Sequence, residues 1–140
     1  MKIIVLDDSM TMRMIIESFL SDLGVEDDEI FLFENGYEAL DFIKINGADI
    51  VFSDIHMAYM NGFEFAELVF KVMPDLKSSF FAISGDESHE SFVQMKKNGV
   101  HRFLKKPIKN EYFRHFVLPE ILKRRDNTPV NDLTLKREIV

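Results

Sequence analysis

Residues 49–62 read DIVFSDIHMAYMNG. Ile50, Val51 and Phe52 are β-branched or aromatic and lie between turn-prone segments, the pattern of a short strand buried on both faces. Asp54 falls where that strand should end, and Gly62 closes the loop that follows. An acid at the carboxyl end of a central parallel strand lies on the rim where open α/β sheets bind their ligands.

Working outward, the same alternation of apolar run and amphipathic stretch repeats along the chain. Lys2–Asp7 is a first strand ending in acids, and Ser9 is placed to cap a helix whose apolar stripe is Met12, Ile15, Ile16, Phe19, Leu20 and Leu23, with Gly24 as its terminator. Ile30–Phe33 is a second strand, and Asn35-Gly36 opens a second helix that turns Ala39, Leu40 and Ile43 inward and closes at Asn46-Gly47. Gly62 begins a third helix, with Phe63, Ala66, Phe70 and Met73 on one side, which Pro74 stops. Ser79–Ile83 is a fourth strand, His89–Asn98 a fourth helix ended by Gly99, and Val100–Leu104 a fifth strand. The last helix spans about residues 110–125, with Phe113, Phe116, Val117 and Ile121 inward, and Pro119 inside it predicts a kink or an early break. Residues 126–140 read as a tail with room for a short helix over 132–138.

Five strand–helix units in strict alternation predict an α/β fold, a doubly wound five-stranded parallel sheet with five helices on its two faces. At 140 residues the chain is expected to be one domain. With no apolar run approaching the ~20 residues of a membrane span, no leader pattern at the amino terminus and no cysteine, a cytoplasmic protein is expected. The net charge of -7 is unevenly spread: residues 1–60 hold 3 basic and 13 acidic residues (3 − 13 = −10), and residues 61–140 hold 14 and 11 (14 − 11 = +3). An acidic front half argues against a nucleic-acid surface there and suits a cation. The Lys123-Arg124-Arg125 cluster is short and reads as a solvated helix end.

Parallel strands share one carboxyl rim. Strand one delivers Asp7 and Asp8 to it, strand three Asp54, strand four Ser84, and strand five is followed by Lys105 and Lys106. Clustered carboxylates in a cleft of lowered dielectric repel one another, and an oxygen-preferring divalent cation relieves this. Mg2+ suits such a site because it binds through one or two carboxylates and takes a phosphate oxygen. Asp54 is then expected to act as a nucleophile that accepts a phosphoryl group as an acyl phosphate, with Lys106 supplying positive charge and Ser84 a hydroxyl donor.

In these motifs the chain resembles the receiver domain of two-component response regulators: the paired acids Asp7-Asp8, the acceptor segment DIHM running on to Gly62, the serine of AISG and the KKP of FLKKPI. The resemblance covers residues 2 to about 125, so residues 1–125 are expected to form the receiver domain. It implies a flavodoxin-like strand order of 2-1-3-4-5 and a cis Lys106-Pro107 peptide. It further implies Mg2+ contacts from Asp8, Asp54 and the main-chain carbonyl of His56, with Asp7 on a metal-bound water. Ser84 and the aromatic Phe103 would form a switch that reshapes the face of helix four, strand five and helix five. Phe103 carries no hydroxyl, so only burial can report its inward state. Ala58 stands where the family often has proline, which implies a more flexible loop. His56 and Asp86 occupy positions that tune hydrolysis of the acyl phosphate in the family. The implied partners are a sensor histidine kinase or phosphotransfer protein and a protein target of the phosphorylated form, as in stand-alone chemotaxis-type regulators. No DNA-binding output domain is expected within 126–140.

Three other functions compete with this one. A phosphate shuttle would use the same site to pass the group on to a histidine protein. An aspartyl-phosphate phosphohydrolase of the haloacid dehalogenase pattern wants a second acid two residues after the nucleophile, where this chain has His56. A flavin module wants a hydroxyl- and glycine-rich loop after strand one, where this chain has DDSMTMR. His56 has no second histidine spaced to share a transition metal with it. His89, His101 and His115 read as surface or partly packed residues, Lys105 as surface, and the methionines as core filler with at least one of Met10, Met12 and Met14 exposed.

Overall fold

In the computed structural model, which describes residues 1–85 and 88–126, the apolar runs become β1 (Ile3–Leu6), β2 (Ile30–Phe33), β3 (Ile50–Asp54), β4 (Phe80–Ser84) and β5 (Arg102–Lys105). The helices between and after them are α1 (Met10–Asp22), α2 (Gly36–Asn46), α3 (Gly62–Val72), α4 (His89–Lys97) and α5 (Asn110–Asp126). All neighbouring strands pair in parallel, in the order β2-β1-β3-β4-β5. The fifth strand sits two residues later than its sequence pattern predicts: Val100 is buried, but its N–H bonds Met95 at the end of α4. Two short 3-10 turns, Asp27–Glu29 and Pro74–Ser79, lead into β2 and β4. Asp86 and the expected 132–138 helix lie outside the described residues. Among the described residues, no helix is long and apolar enough to cross a membrane.

The starts of α1 to α4 have a local cause. The side chains of Ser9, Asn35, Asn61 and Ser88 accept hydrogen bonds from the N–H groups of Met12, Glu38, Glu64 and Ser91. Each bond satisfies one of the orphaned donors of a helix's first turn, worth about 1 kcal/mol. Side chains alternate across the strands, so Ile3, Val5, Ile50 and Phe52 pack with Ile16 and Leu20 of α1 and Phe113 and Val117 of α5. Ile4, Leu6 and Val51 face the other way, onto Leu40 of α2, Phe65 and Val69 of α3 and Met95 of α4. Burying both faces holds the strands' carboxyl ends at one edge of the molecule. Met10 and Met14 are exposed, 66% and 58%.

Helix α5 departs from its sequence reading in the face it buries. Phe116, expected inside, is 51% exposed. The buried stripe is Phe113, Val117, Glu120 and Ile121, an i, i+4, i+7, i+8 set that leaves position i+3 at its edge. The helix runs through Pro119 to Asp126, so of the two expectations there, a kink or an early break, the break does not occur. Ion pairs on its last two turns hold it: Arg125 lies 3.0 Å from Glu29, and Glu120 engages Arg102 at 3.3 Å and Arg124 at 3.5 Å. Glu120 is 3% exposed and also accepts a 2.7 Å hydrogen bond from Ser79 Oγ. Replacing Glu120 with alanine removes the carboxylate that both arginines and the Ser79 hydroxyl share, leaving only the Arg124 to Ser79 hydrogen bond between them. Because the arginines keep some contact with solvent, the loss should fall below the roughly 3–5 kcal/mol of a fully buried pair, at about 2 kcal/mol. Urea unfolding of Glu120→Ala reads it as a lower midpoint at unchanged slope.

Candidate functional site

The carboxyl rim is assembled from the ends of β1, β3, β4 and the turn after β5. Asp7, immediately after β1, is fully buried. Its N–H continues the sheet by bonding Phe33 at 3.1 Å, its Oδ1 accepts from the Ser9 N–H at 2.9 Å, and its carbonyl accepts from Arg13 at 2.7 Å. Asp54 closes β3, is 3% exposed, and its Oδ1 accepts from the His56 N–H at 3.3 Å. Lys106 reaches into the space between them, its ammonium 3.3 Å from Asp7 Oδ2 and 3.3 Å from Asp54 Oδ1. Its position is set from behind, because the Lys106 N–H bonds the carbonyl of Ser84 at 2.9 Å; the Lys106-Pro107 peptide that follows is cis. Strand β4 thereby ties the lysine to the same rim that Ser84, itself buried, terminates.

Three carboxylates meet here. One oxygen from each of Asp7, Asp8 and Asp54 lies within 4.8 Å of the others, with Asp8 the exposed member. Among the described residues one ammonium faces the three carboxylates, with the Arg13 guanidinium on the Asp7 main-chain carbonyl behind them, so the carboxylates outnumber the cations around them. Asp7 Oδ2 faces Lys106 yet accepts no hydrogen bond. A buried carboxylate oxygen without a donor, beside two further carboxylates, fits a hard cation with oxygen ligands. The carboxyl of Asp54 is raised above its ordinary value of 3.8, first by burial and then by the neighbouring Asp7 charge; Lys106 and the His56 N–H pull it back only in part.

The loop after Asp54 is held by close backbone contact. Gly62 donates to the Ile55 carbonyl at 2.8 Å, and a Cβ at Gly62 would lie 2.4 Å from the Asp54 carbonyl oxygen. No other residue fits there. Of the other expected site residues, Ser84 ends β4 at the rim and Phe103 lies within β5 opposite Ala82. His56 exposes its side chain at the mouth. Phe103 is partly buried, its ring edge-on to Phe92 of α4 at 5.4 Å. Three features are not legible in a strand-end pattern: the Arg13 contact to Asp7, the hydroxyl of Ser53 on the Asp54 carbonyl at 2.9 Å, and Tyr59, whose φ of 68° is left-handed. A bulky residue in that region is unusual enough to mark a constrained loop.

An open, doubly wound parallel sheet with acids and a lysine converging on its carboxyl rim defines the flavodoxin-like class of α/β proteins. Within that class, residues 3–118 match the response regulator receiver domain, and the chain belongs to that family. It is 32% identical over 129 residues to chemotaxis protein CheY1 of Helicobacter pylori, covering 89% of this chain and 93% of that one. It is similar also to the Autoinducer 1 sensor kinase/phosphatase LuxN of Vibrio campbellii, 28% identical over 113 residues; there the match covers 81% of this chain but spans only 13% of the relative's length. Among solved structures, the chemotaxis response regulator CheY4 of Vibrio cholerae superposes with a TM-score of 0.71 at 28% identity, over 88% of this chain and 96% of that chain. A two-component response regulator from Clostridium difficile shares the fold, with a TM-score of 0.76 at 22% identity over 91% and 98% of the two chains.

The raised Asp54 carboxyl has a measurable consequence. The folded chain keeps this proton over a window above 3.8 in which the unfolded chain has lost it. Stability from this group is therefore greatest below that window and falls as pH rises through the raised value. With divalent cations chelated, Asp54→Asn should be more stable than wild type near neutrality, and the gap should close as the pH is lowered towards 3.8. Denaturant titrations of both proteins across that range measure it.

Proposed function

We propose that this chain is a phosphoacceptor signalling module, residues 1–125 with 126–140 as a tail. It takes a phosphoryl group from a histidine kinase or phosphotransfer protein in the cytoplasm. Support comes first from Lys106, whose ammonium lies 3.3 Å from both Asp54 and Asp7. Asp54 is the nucleophile: one carboxylate oxygen forms the new bond to phosphorus, the P–N bond to the donor imidazole breaks, and its electron pair stays on that nitrogen. Lys106 offsets charge on the phosphoryl oxygens, and the Ser84 hydroxyl donates to one of them. Asp7, Asp8, Asp54 and the main-chain carbonyl of His56 are the groups that would hold Mg2+. That ion, when bound, supplies the positive charge that lets an anionic phosphoryl group approach clustered carboxylates.

Ser84 and Phe103 then carry the signal. Recruiting the Ser84 hydroxyl to phosphate frees space at the rim, Phe103 turns inward, and its edge contact with Phe92 is lost. This biases a two-state equilibrium and changes what the face of α4, β5 and α5 presents. Exposed aromatics on that face, Phe92 at 38%, Tyr112 at 59% and Phe116 at 51%, suit a protein target. His56 at the mouth, with Asp86, sets water access to the acyl phosphate.

Incubation with phosphoramidate and Mg2+, read by intact mass, should add one phosphoryl group to wild type. It should add none to Asp54→Ala or to wild type in excess EDTA; a gain of mass by Asp54→Ala would move the acceptor elsewhere. For the wild-type phosphoprotein, the decay rate after donor removal should differ from that of His56→Asn. Equal rates would remove His56 from the account.

A further inference from the structure

The acceptor loop is anchored at a point none of the roles above includes. Between Asp54 and Gly62 the chain turns outward at Tyr59, which is 92% exposed with a left-handed φ of 68°, and inward at Met60, which is 4% exposed. Met60 packs on the first residue of α2. A Cβ built on Gly36 would lie 2.8 Å from Met60 Sδ and 3.3 Å from both its Cβ and Cγ. The sulfur alone could swing aside by a change of rotamer. The Cβ cannot move unless the loop backbone moves with it. Gly36 in turn is held by the helix start, where Asn35 Oδ1 accepts the Glu38 N–H at 2.9 Å. The opposite end of the loop is equally tight, with Gly62 against Asp54 and Ile55. The segment that carries the His56 N–H to Asp54 is thus pinned at both ends, and only the Gly62 pin belongs to the acceptor motif itself.

We infer that Gly36 and Met60 form a positioning contact for the phosphoacceptor: the first turn of α2, through this notch, sets where the His56 backbone lies relative to Asp54. The inference rests on the phosphoacceptor reading for its consequence in rate, but not for its consequence in geometry. A side chain at Gly36 displaces Met60 by a few tenths of an ångström, carries the loop with it and loosens the His56 N–H bond to Asp54, which is already long at 3.3 Å. Misplacement of about 1 Å costs roughly a hundredfold in an oriented reaction, so a displacement of this size should cost about tenfold.

The test uses the full chain, phosphoramidate with Mg2+, and the variants Gly36→Ala, Met60→Ala and the two combined. Gly36→Ala should be phosphorylated about tenfold more slowly than wild type. The combined variant should recover to within about twofold of Met60→Ala, because the truncated side chain leaves the new methyl room. Its thermal midpoint should nevertheless drop below that of Gly36→Ala, since Met60 has lost its buried atoms. Rate rising while stability falls is what positioning requires and what a merely structural role forbids. A Gly36→Ala rate equal to wild type, or a combined variant as slow as Gly36→Ala, overturns the inference. If Gly36→Ala does not fold, Met60→Ala decides: unpinning the loop should slow phosphorylation about twofold, and a wild-type rate overturns the inference. A wild type that gains no phosphoryl mass sinks the phosphoacceptor reading instead. The contact is then judged from the His56 amide resonance, which Gly36→Ala should shift and the combined variant restore; an unmoved resonance overturns it.

Discussion

Everything at the rim depends on one electrostatic imbalance. Asp7 and Asp54 end adjacent strands, so their carboxylates cannot move apart without breaking the sheet, and both are buried. A single ammonium, from Lys106, bridges them, and Asp8 adds a third negative charge. Such a group is not a stability device, because a buried charge cluster gains little unless every member is paired. Its folding cost is borne by the two cores that cover the sheet. What the imbalance provides is surplus negative charge beside an Asp54 carboxyl held above its ordinary value, the arrangement that the proposed phosphoryl transfer would use.

The chain around the imbalance is arranged to keep it rigid. Asp7 is fixed by Ser9 and Arg13, Lys106 by its N–H to Ser84, and Asp54 by the His56 N–H and by Gly62 pressed against its carbonyl. Most of these partners are backbone groups. Backbone donors need no rotamer of their own to be fixed, so a site of few side chains can be ordered at low entropic cost. Phe103 differs: it is partly buried and meets α4 through one ring edge.

The strand-end residues were legible because a parallel sheet converts sequence order into position: whatever follows each apolar run arrives at one rim. That rule locates Asp7, Asp8, Asp54, Ser84 and Lys106 without any contact being known. It has no purchase on groups that reach the site along a helix or across a loop. Arg13 sits one turn into α1, and nothing in a helical stripe says which polar residue bends back to a carbonyl. Gly36 reads as an ordinary helix start, and only the packed loop reveals what its missing side chain leaves room for. On α5 the failure had another cause. Hydrophobic periodicity favoured Phe116 over Glu120, because a glutamate scores as solvent-facing unless its partners are known. Those partners lie 18 and 41 residues away, at Arg102 and Ser79.

Glu120 also sharpens the meaning of the rim by contrast. Both clusters bury carboxylates in the same small domain, at opposite ends of the strands, since Ser79 and Arg102 stand at the beginnings of β4 and β5. At the amino end one carboxylate meets two guanidinium groups and a hydroxyl, so no negative charge is left over, although the buried Arg124 Nε there makes no hydrogen bond either. At the carboxyl end three carboxylates share one ammonium, and an oxygen of the fully buried Asp7 accepts no hydrogen bond. Burial penalises both alike. A fold that neutralises one cluster over the same sheet has the means to neutralise the other. The surplus charge at the carboxyl rim is therefore a property of the site and not a lapse in packing, and it is what a cation and a phosphoryl group would act upon.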